Sequence, residues 1–134
     1  MSLKSYIMNT ADTVYSRYIR LKAADRNGYC ACVTCPAIRQ WNDGMQAGHY
    51  VNRDDWSTRF DDRNVHPQCV SCNKHHSGRI SRYAVYLKKE YGDGIIDELD
   101  AKSRLVKQFT LADLKGWVKE WRKEISKFMV VKNV

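Results

Sequence analysis

The chain contains no long apolar run and no export segment at its start. None of its apolar stretches approaches the roughly 18 residues that a helix needs to span a bilayer. The first residues, Met1 to Lys4, are not followed by the apolar core and cleavage site of a signal peptide. We therefore expect no membrane association and a cytoplasmic location.

The chain has fewer acidic than basic residues. The 134 residues include 15 Asp and Glu against 23 Lys and Arg, which gives a formal net charge of +8. Such a balance suits a polyanionic partner such as nucleic acid, although basicity alone is weak support. The chain also lacks an internal repeat, a low-complexity tract and a flexible linker. Its length predicts one domain over 1–134, divided into an N-terminal helix (1–28), a central core (29–92) and C-terminal helices (93–134).

The chain has five cysteines, an odd number, which argues against a set of disulfides that would pair them all. Four of the five cysteines form two Cys-x-x-Cys pairs, Cys32 with Cys35 and Cys69 with Cys72, and Cys30 is left over. Two such pairs are typical of a zinc site in a reducing compartment. Because four thiolates fill the coordination shell, we expect a structural Zn²⁺ rather than a catalytic one. A thioredoxin-like redox role would need a βαβ context, which the local pattern does not offer.

Helical periodicity marks both ends of the chain. A helix is predicted from Asn9 to Arg26, and a second begins after Cys72 and ends near Gly92. Two further helices are predicted, one over Ile95–Gln108 and one after Thr110. The apolar positions of the last helix are Leu114, Trp117, Trp121, Ile125 and Phe128. Between these ends we expect short strands, with 51–64 as a loop between two of them.

Candidate catalytic residues lie close to the cysteine pairs: His49, Asn64, Asn73, His75 and His76. An imidazole such as His49 can accept a proton from water, while the amide of Asn64 or a backbone carbonyl fixes the ring. Asn73 is expected to open the helix after Cys72, with His76 on the same face at i+3. Such a pair can hold a hydrated divalent ion against a phosphate. Alternatively, Asn73 caps the helix and the histidines contact phosphates.

These motifs resemble a known family. The order Cys-x-x-Cys, Ala47–Tyr50, Asn64-x-His66-x-Gln68-Cys69-x-x-Cys72-Asn73 and Ser77-Gly78 is similar to the NinG/Rap recombination proteins of lambdoid phages, over roughly residues 11 to 100. That family is placed in the HNH, or ββα-metal (His-Me finger), nuclease group. The resemblance implies a small α+β fold with a ββα-metal core, stapled by the four-cysteine zinc site and flanked by helices.

The resemblance also implies an activity. It points to a structure-selective DNA endonuclease that hydrolyses phosphodiesters in branched recombination intermediates, such as D-loops and Holliday junctions, with Mg²⁺ or Mn²⁺. In related phage resolvases a His after a strand acts as the base and an Asn after the last Cys binds metal, which assigns these roles to His49 and Asn73. Asn64 takes the place of the middle Asn of the HNH motif. The resemblance further implies recombination proteins as partners and the host bacterial cytoplasm as the location.

One departure keeps an alternative open. Many HNH enzymes carry an Asp metal ligand immediately before the catalytic His, and this chain has Gly48 there. Asp43 or Asp54 could substitute through the fold. The alternative is a catalytically silent, zinc-containing module that binds DNA junctions, and a third interpretation is a zinc-based protein interaction module.

DNA contacts are expected from basic residues near the motifs: Arg17, Arg20, Arg53, Arg59, Arg63, Lys74, Arg79 and Arg82. Symmetric resolution of a four-way junction would favour a homodimer with two-fold symmetry.

Overall fold

A computed structural model describes residues 1–106 and 109–134 as a mixture of helices and short strands. In chain order the elements are α1 (Leu3–Tyr6), α2 (Asp12–Ala23), β1 (Tyr29–Ala31), β2 (Ile38–Gln40), β3 (Met45–His49), α3 (Trp56–Arg59), β4 (Val65–Cys69), α4 (Ile80–Tyr91), α5 (Ile95–Ser103) and α6 (Leu111–Val131). Two π-helical turns, Ile7–Ala11 and Ser71–His75, add to these. The fold is therefore α+β, as the sequence predicts.

The N-terminal helical segment is longer than predicted at its start. α1, the first π-helical turn and α2 run without a break from Leu3 to Ala23, so the predicted start at Asn9 is wrong. The side chain of Ser2 caps the segment by accepting a hydrogen bond from the backbone of Ser5. Ala24 adopts an extended conformation, which ends the helix before the predicted stop at Arg26.

Two antiparallel hairpins follow. β1 pairs with β2, and β3 pairs with β4 in a register that runs from Met45 opposite Cys69 to His49 opposite Val65. Residues 50–64 join β3 to β4, as predicted, and contain the short helix α3. Because side chains alternate along a strand, neighbouring residues of the hairpin face opposite sides.

The β3–β4 hairpin lies between two helices. On one side, Ala47 and Val65 pack with Tyr15 and Ile19 of α2. On the other side, Tyr83 of α4 makes hydrogen bonds with the hairpin. The strand end that carries His49 is therefore held from both faces.

The segment after Cys72 differs from the prediction. Asn73 does not open the long helix but lies in the second π-helical turn, and α4 begins at Ile80. Three consecutive residues with positive φ separate the two: Ser77 (52°), Gly78 (82°) and Arg79 (49°). A left-handed backbone cannot continue an α-helix, which is why the helix starts late. Gly92, with φ of 96°, ends α4 where the sequence predicts.

The C-terminal helices pack on different elements: α6 lies against α2, and α5 lies against α3 and α4. α5 ends at Ser103, before the predicted end at Gln108, which lies outside the described residues. α6 begins at the predicted capping box of Thr110 and Asp113. Trp121 packs against Tyr15, with ring centroids 4.7 Å apart. Trp117 is 40% exposed, and Val118 takes the buried position instead. The prediction of core packing is thus confirmed for Trp121 and wrong for Trp117.

No helix within the described residues is long and apolar enough to cross a membrane.

Candidate metal centre and catalytic cleft

The four paired cysteines converge. The sulfur atoms of Cys32, Cys35, Cys69 and Cys72 all lie within 4.8 Å of one another, and those of Cys35 and Cys69 are 3.7 Å apart. A tetrahedral ion with metal–sulfur bonds of about 2.3 Å places its sulfur ligands roughly 3.8 Å apart. The donor set and its spacing therefore fit a metal ion such as Zn²⁺.

Short local turns build this cluster. The backbone amide of Ala37 donates to the sulfur of Cys35, and that of Cys72 donates to the sulfur of Cys69, at 3.4 and 3.5 Å. Such amide–sulfur bonds orient metal-binding thiolates and spread their charge. Cys30 is not part of the cluster: its buried thiol donates to the carbonyl of Arg20, and burial raises its pKa to about 11. Cys30 therefore stays a protonated thiol.

A cleft of about 1040 Å³ opens beside the cysteine cluster. Its walls come from α2, β3, the loop after β3 and the turn after Cys72. Two of the predicted catalytic residues, His49 and Asn73, line this cleft together. Asn64, His75 and His76 are not among the described residues that line it.

His49 has one defined hydrogen bond. Its Nε2 atom lies 2.9 Å from the carbonyl oxygen of Arg59. Because a carbonyl can only accept, Nε2 carries the proton and Nδ1 keeps its lone pair. Burial lowers the pKa of His49 to about 4, more than the Arg59 carbonyl raises it, so the ring is neutral at neutral pH. A neutral imidazole with a fixed tautomer is what a general base requires.

The Arg59 carbonyl is itself held in place. The guanidinium group of Arg59 binds both carboxylate oxygens of Asp12, at 2.9 and 2.5 Å, and the carbonyl of Arg53 at 2.6 Å. Arg59 is only 6% exposed. The charge of Arg59 is therefore buried against a carboxylate within the protein and is not exposed for the DNA contact that the sequence predicts.

Asn64 does not contact His49 but holds the loop that orients it. Its side chain is fully buried, accepts from the amide of Val51 at 2.7 Å and donates to the carbonyls of Val51 and Thr58. These bonds close the loop that carries Arg59. The ring of His49 is therefore oriented by a backbone carbonyl, which was one of the two predicted arrangements, and Asn64 shapes the loop that supplies it.

The side-chain amide oxygen of Asn73 is available as a metal ligand. Its Nδ2 donates to Oε1 of Gln46 at 2.8 Å, which turns the amide and leaves Oδ1 without a hydrogen bond among the described residues. An amide oxygen is a ligand that Mg²⁺ and Mn²⁺ accept. His75 and His76 are exposed, and neither belongs to a group of three potential metal ligands in the described part of the chain.

Position 48 has no room for the side chain of the expected Asp ligand. A Cβ atom built on Gly48 would overlap the buried side chain of Gln68, with Cγ only 2.9 Å away. Residue 48 also faces α4, whereas His49 on the next position faces α2. An Asp at this position would therefore meet the side chain of Gln68. Of the two acidic substitutes, Asp54 lines the cleft, and Asp43 is absent from its described lining.

The other basic residues predicted to contact DNA differ in their surroundings. Arg20, Arg53 and Lys74 line the cleft, and Arg17 and Arg82 are exposed. Arg63 is paired with Asp61 and Glu98, both at 3.0 Å. Arg79 is half-buried, and its Nε atom is shielded from solvent.

Two residues at the site were not found from the sequence. Asp12 holds Arg59, and Gln46 holds Asn73. Asp12 lies 47 positions from Arg59 in the chain, and Gln46 lies 27 positions from Asn73. No local spacing signals such contacts.

Comparisons with known proteins match the chain to one family of phage proteins. The family model described as "Bacteriophage Lambda NinG protein" matches residues 2–129. The chain is 34% identical over 101 residues to protein ninG of Salmonella phage P22, which covers 73% of this chain and 46% of that protein. It is 29% identical over 125 residues to protein ninG of Escherichia phage lambda, which covers 91% of this chain and 57% of that protein.

The chain spans about half the length of the curated relatives that it matches. No solved structure matches it significantly. The match of the family model over nearly the whole chain, together with the 34% identity to protein ninG of Salmonella phage P22, shows that this protein belongs to the NinG family of lambdoid phages.

Proposed function

We propose that this protein is a metal-dependent, structure-selective DNA endonuclease of the HNH, or ββα-metal, group. The observation that carries the proposal is His49: a neutral imidazole, held by the Arg59 carbonyl, in a basic cleft that it shares with Asn73. The chain order β3, β4 and α4, with the short helix α3 in the loop between the strands, matches the order of elements in a ββα-metal core. The substrate class, branched DNA from recombination, follows from the resemblance of the motifs.

In this proposal His49 is the general base. Nδ1 takes a proton from the attacking water, and the Nε2–H bond to the Arg59 carbonyl stabilises the imidazolium that forms. Since the pKa of His49 is about 4, the base is unprotonated throughout the neutral range. Between pH 6 and 8 this residue should therefore impose no inflection on the rate of nicking.

Asn73 would hold the divalent ion through Oδ1, together with water molecules. Mg²⁺ commonly keeps several waters and binds few protein ligands, so a site with a single amide oxygen and a neighbouring carboxylate such as Asp54 suits it. When bound, the ion would supply charge stabilisation for the scissile phosphate and the leaving oxygen. The protein's own part is to fix Asn73 through Gln46.

Binding of DNA is assigned to the basic residues at the cleft and beside it. Arg53 and Lys74 line the cleft and are exposed, and both would contact phosphates. Arg53→Gln and Lys74→Gln should each weaken binding to all junction sequences. Each should also make the salt dependence less steep, by about one unit of slope for every phosphate that the protein no longer neutralises.

The test is a nicking assay on a four-way junction and on a linear duplex of the same sequence, with Mg²⁺, with Mn²⁺ and with neither. The parent is compared with His49→Ala, and His76→Ala is the matched control for loss of a histidine. Metal-dependent nicking that disappears in His49→Ala, with unchanged circular dichroism, supports the proposal. If His76→Ala alone abolishes nicking, the base is the exposed histidine and the assignment to His49 fails.

A second candidate function is a catalytically silent module that binds DNA junctions. Gly48 favours it, because the position that carries an Asp in many HNH enzymes is closed by Gln68 here. This candidate predicts tight, salt-sensitive junction binding, no nicking with either metal and a His49→Ala variant that binds like the parent.

A further inference from the structure

Arg20 differs from the other basic residues of the cleft in how its side chain is held. It lies on α2 and is half-buried, whereas Arg53 and Lys74 are exposed. Its Nε atom donates to the carbonyl and the hydroxyl oxygens of Ser16, both at 3.2 Å, and its Nη1 atom donates to the carbonyl of Trp41 at 2.8 Å. The guanidinium group is therefore fixed between two segments of the chain.

The ring of Trp41 also holds the guanidinium group. The Cζ atom of Arg20 lies 5.4 Å from the ring centroid of Trp41, within the range of a cation–π interaction. Trp41 is itself fixed, because its backbone amide donates to the carbonyl of Gly28 at 2.8 Å and its side chain packs against the buried cluster that includes Cys32 and Cys69. The side chain of Arg20 therefore has a defined orientation at the wall of the cleft.

The charge of Arg20 has no partner within the described part of the chain. Its acceptors are neutral, and no carboxylate of the described residues forms an ion pair with it, in contrast to Arg59 and Arg63. Burial and then the charge of Arg17 lower the pKa of Arg20, but a guanidinium group stays protonated in proteins. A half-buried cation without a counter-ion is costly. This arrangement favours an anion from outside the chain.

Three N–H groups of Arg20 remain for such an anion. A guanidinium group has five, and the bonds to Ser16 and Trp41 use the one on Nε and one of the two on Nη1. The other N–H of Nη1 and both on Nη2 make no hydrogen bond with the described residues. Guanidinium N–H groups fit a pair of oxygen atoms on one phosphate or carboxylate group. The ligand chemistry is therefore that of an oxyanion.

The surroundings of Arg20 favour a phosphate of a nucleic-acid strand over a single carboxylate. The cleft of about 1040 Å³ is also lined by Arg53, from the loop after β3, and by Lys74, from the turn after Cys72. Phosphates that repeat along a strand can meet cations on several walls together, whereas a single carboxylate meets only one of them. His49 lines the same cleft.

We infer that Arg20, held by Ser16 and Trp41, forms a rigid phosphate site that fixes the path of a DNA strand past His49. The identity of the ligand as DNA rests on the proposed function. The sequence predicts a DNA contact for Arg20 as for several other basic residues, and the inference is narrower, because it requires the oriented guanidinium group rather than a positive charge. Lysine carries one ammonium group on a flexible stem and cannot reproduce this geometry.

The experiment compares Arg20→Lys and Arg20→Gln with the same two changes at Arg122. Arg122 is the matched control, because it is exposed on α6 and is not among the described residues that line the cleft. Binding of a fluorescent four-way junction is followed by anisotropy at several salt concentrations, without added Mg²⁺ or Mn²⁺, so that the DNA stays intact. The melting temperature of each variant shows that it is folded.

Arg20→Lys should weaken junction binding by at least about 10-fold, because hydrogen bonds between charged groups are strong, and should leave the salt dependence as steep as in the parent. Arg20→Gln should in addition reduce the slope by about one unit. Both Arg122 variants should bind like the parent. If a folded Arg20→Lys variant binds as tightly as the parent, the inference is overturned. An equal loss in Arg122→Lys would also overturn it, because the effect would then not be local to the cleft.

A measurement on the parent keeps the inference testable even if the Arg20 variants do not fold. The Nε–H resonance of Arg20 should be resolved in the NMR spectrum, exchange slowly with water and shift when the junction is added. A rapidly exchanging resonance that does not respond would overturn the inference. None of these readouts depends on nicking. Tight binding without nicking would overturn the proposed nuclease and leave the phosphate site, whereas nicking together with a parent-like Arg20→Lys would do the reverse.

Discussion

The hydroxyl group of Tyr83 donates a hydrogen bond of 2.7 Å to the backbone carbonyl of Gly48, the residue that precedes His49. The Nδ1 atom of His66 lies 3.0 Å from the same hydroxyl, and Tyr83 is fully buried. The bond ties α4 to β3 one residue from the proposed base. It therefore links the stability of the core to the geometry of the cleft.

Replacement of Tyr83 by Phe should destabilise the protein. The change removes a buried hydroxyl that bonds both the carbonyl of Gly48 and the ring of His66, and loss of such a partner costs about 1–3 kcal/mol. Urea unfolding measures this, with Tyr86→Phe as the control on the same helix, because the Tyr86 hydroxyl makes no hydrogen bond with the described residues. Equal stability of the two variants would show that the Tyr83–Gly48 bond contributes little.

Position 48 should reject any side chain. Gly48→Ala places a Cβ atom inside the volume of Gln68, and overpacking of this kind costs about 1–3 kcal/mol. Gly116→Ala is the natural control: Gly116 lies in α6 with no atom near the added Cβ, so alanine should stabilise the helix by about 0.5–1 kcal/mol. Thermal unfolding of both variants tests the pair. A neutral Gly48→Ala would mean that Gln68 moves aside easily and that an acidic ligand could be accommodated there.

The sequence predicts the local features of the fold and the site. The two cysteine pairs, the capping box of Thr110 and Asp113 and the end of α4 at Gly92 each depend on residues within a few positions of one another. Such features follow from backbone chemistry alone, whatever the rest of the chain does.

Contacts between distant segments are what the sequence leaves open. The orientation of His49 depends on Arg59, which depends on Asp12, and no periodic pattern connects these residues. The late start of α4 has the same origin, because the left-handed turn at residues 77–79 is bound to β4: the side-chain amide of Gln68 donates to the carbonyl of Gly78 at 2.8 Å. Tertiary contacts override helical periodicity at this point.

Removal of the metal should unfold the central hairpins. The cluster joins the segment after β1 to the end of β4, and its sulfur atoms would repel one another as thiolates without an ion. Treatment with a zinc chelator should lower the melting temperature and the circular dichroism signal, and Cys72→Ser should behave like the chelated parent. Cys30→Ala should keep the bound metal, because Cys30 lies outside the cluster. A chelated protein that melts like the parent would contradict a structural role for the metal.

Stability should fall in acid partly through His66. This ring is 8% exposed, its Nε2 lies 2.8 Å from the hydroxyl of Tyr91, and burial lowers its pKa from 6.5 to about 4. The unfolded chain therefore binds a proton between pH 6.5 and 4 that the folded chain does not. The free energy of unfolding should drop by about 1.4 kcal/mol per pH unit for this residue in that window, and be independent of it above pH 7.

The matched measurement is urea unfolding of the parent and of His66→Gln at several pH values from 4 to 8. Protonation of His49 and of the cysteine ligands lowers the stability of both proteins in acid, so only the difference between them reports on His66. We expect His66→Gln to be the less stable protein at pH 7.5 and the gap to close as the pH falls toward 4. A gap that stays constant across the range would show that His66 has the same pKa in the folded and unfolded chains, and that its burial between the two tyrosines does not oppose its protonation.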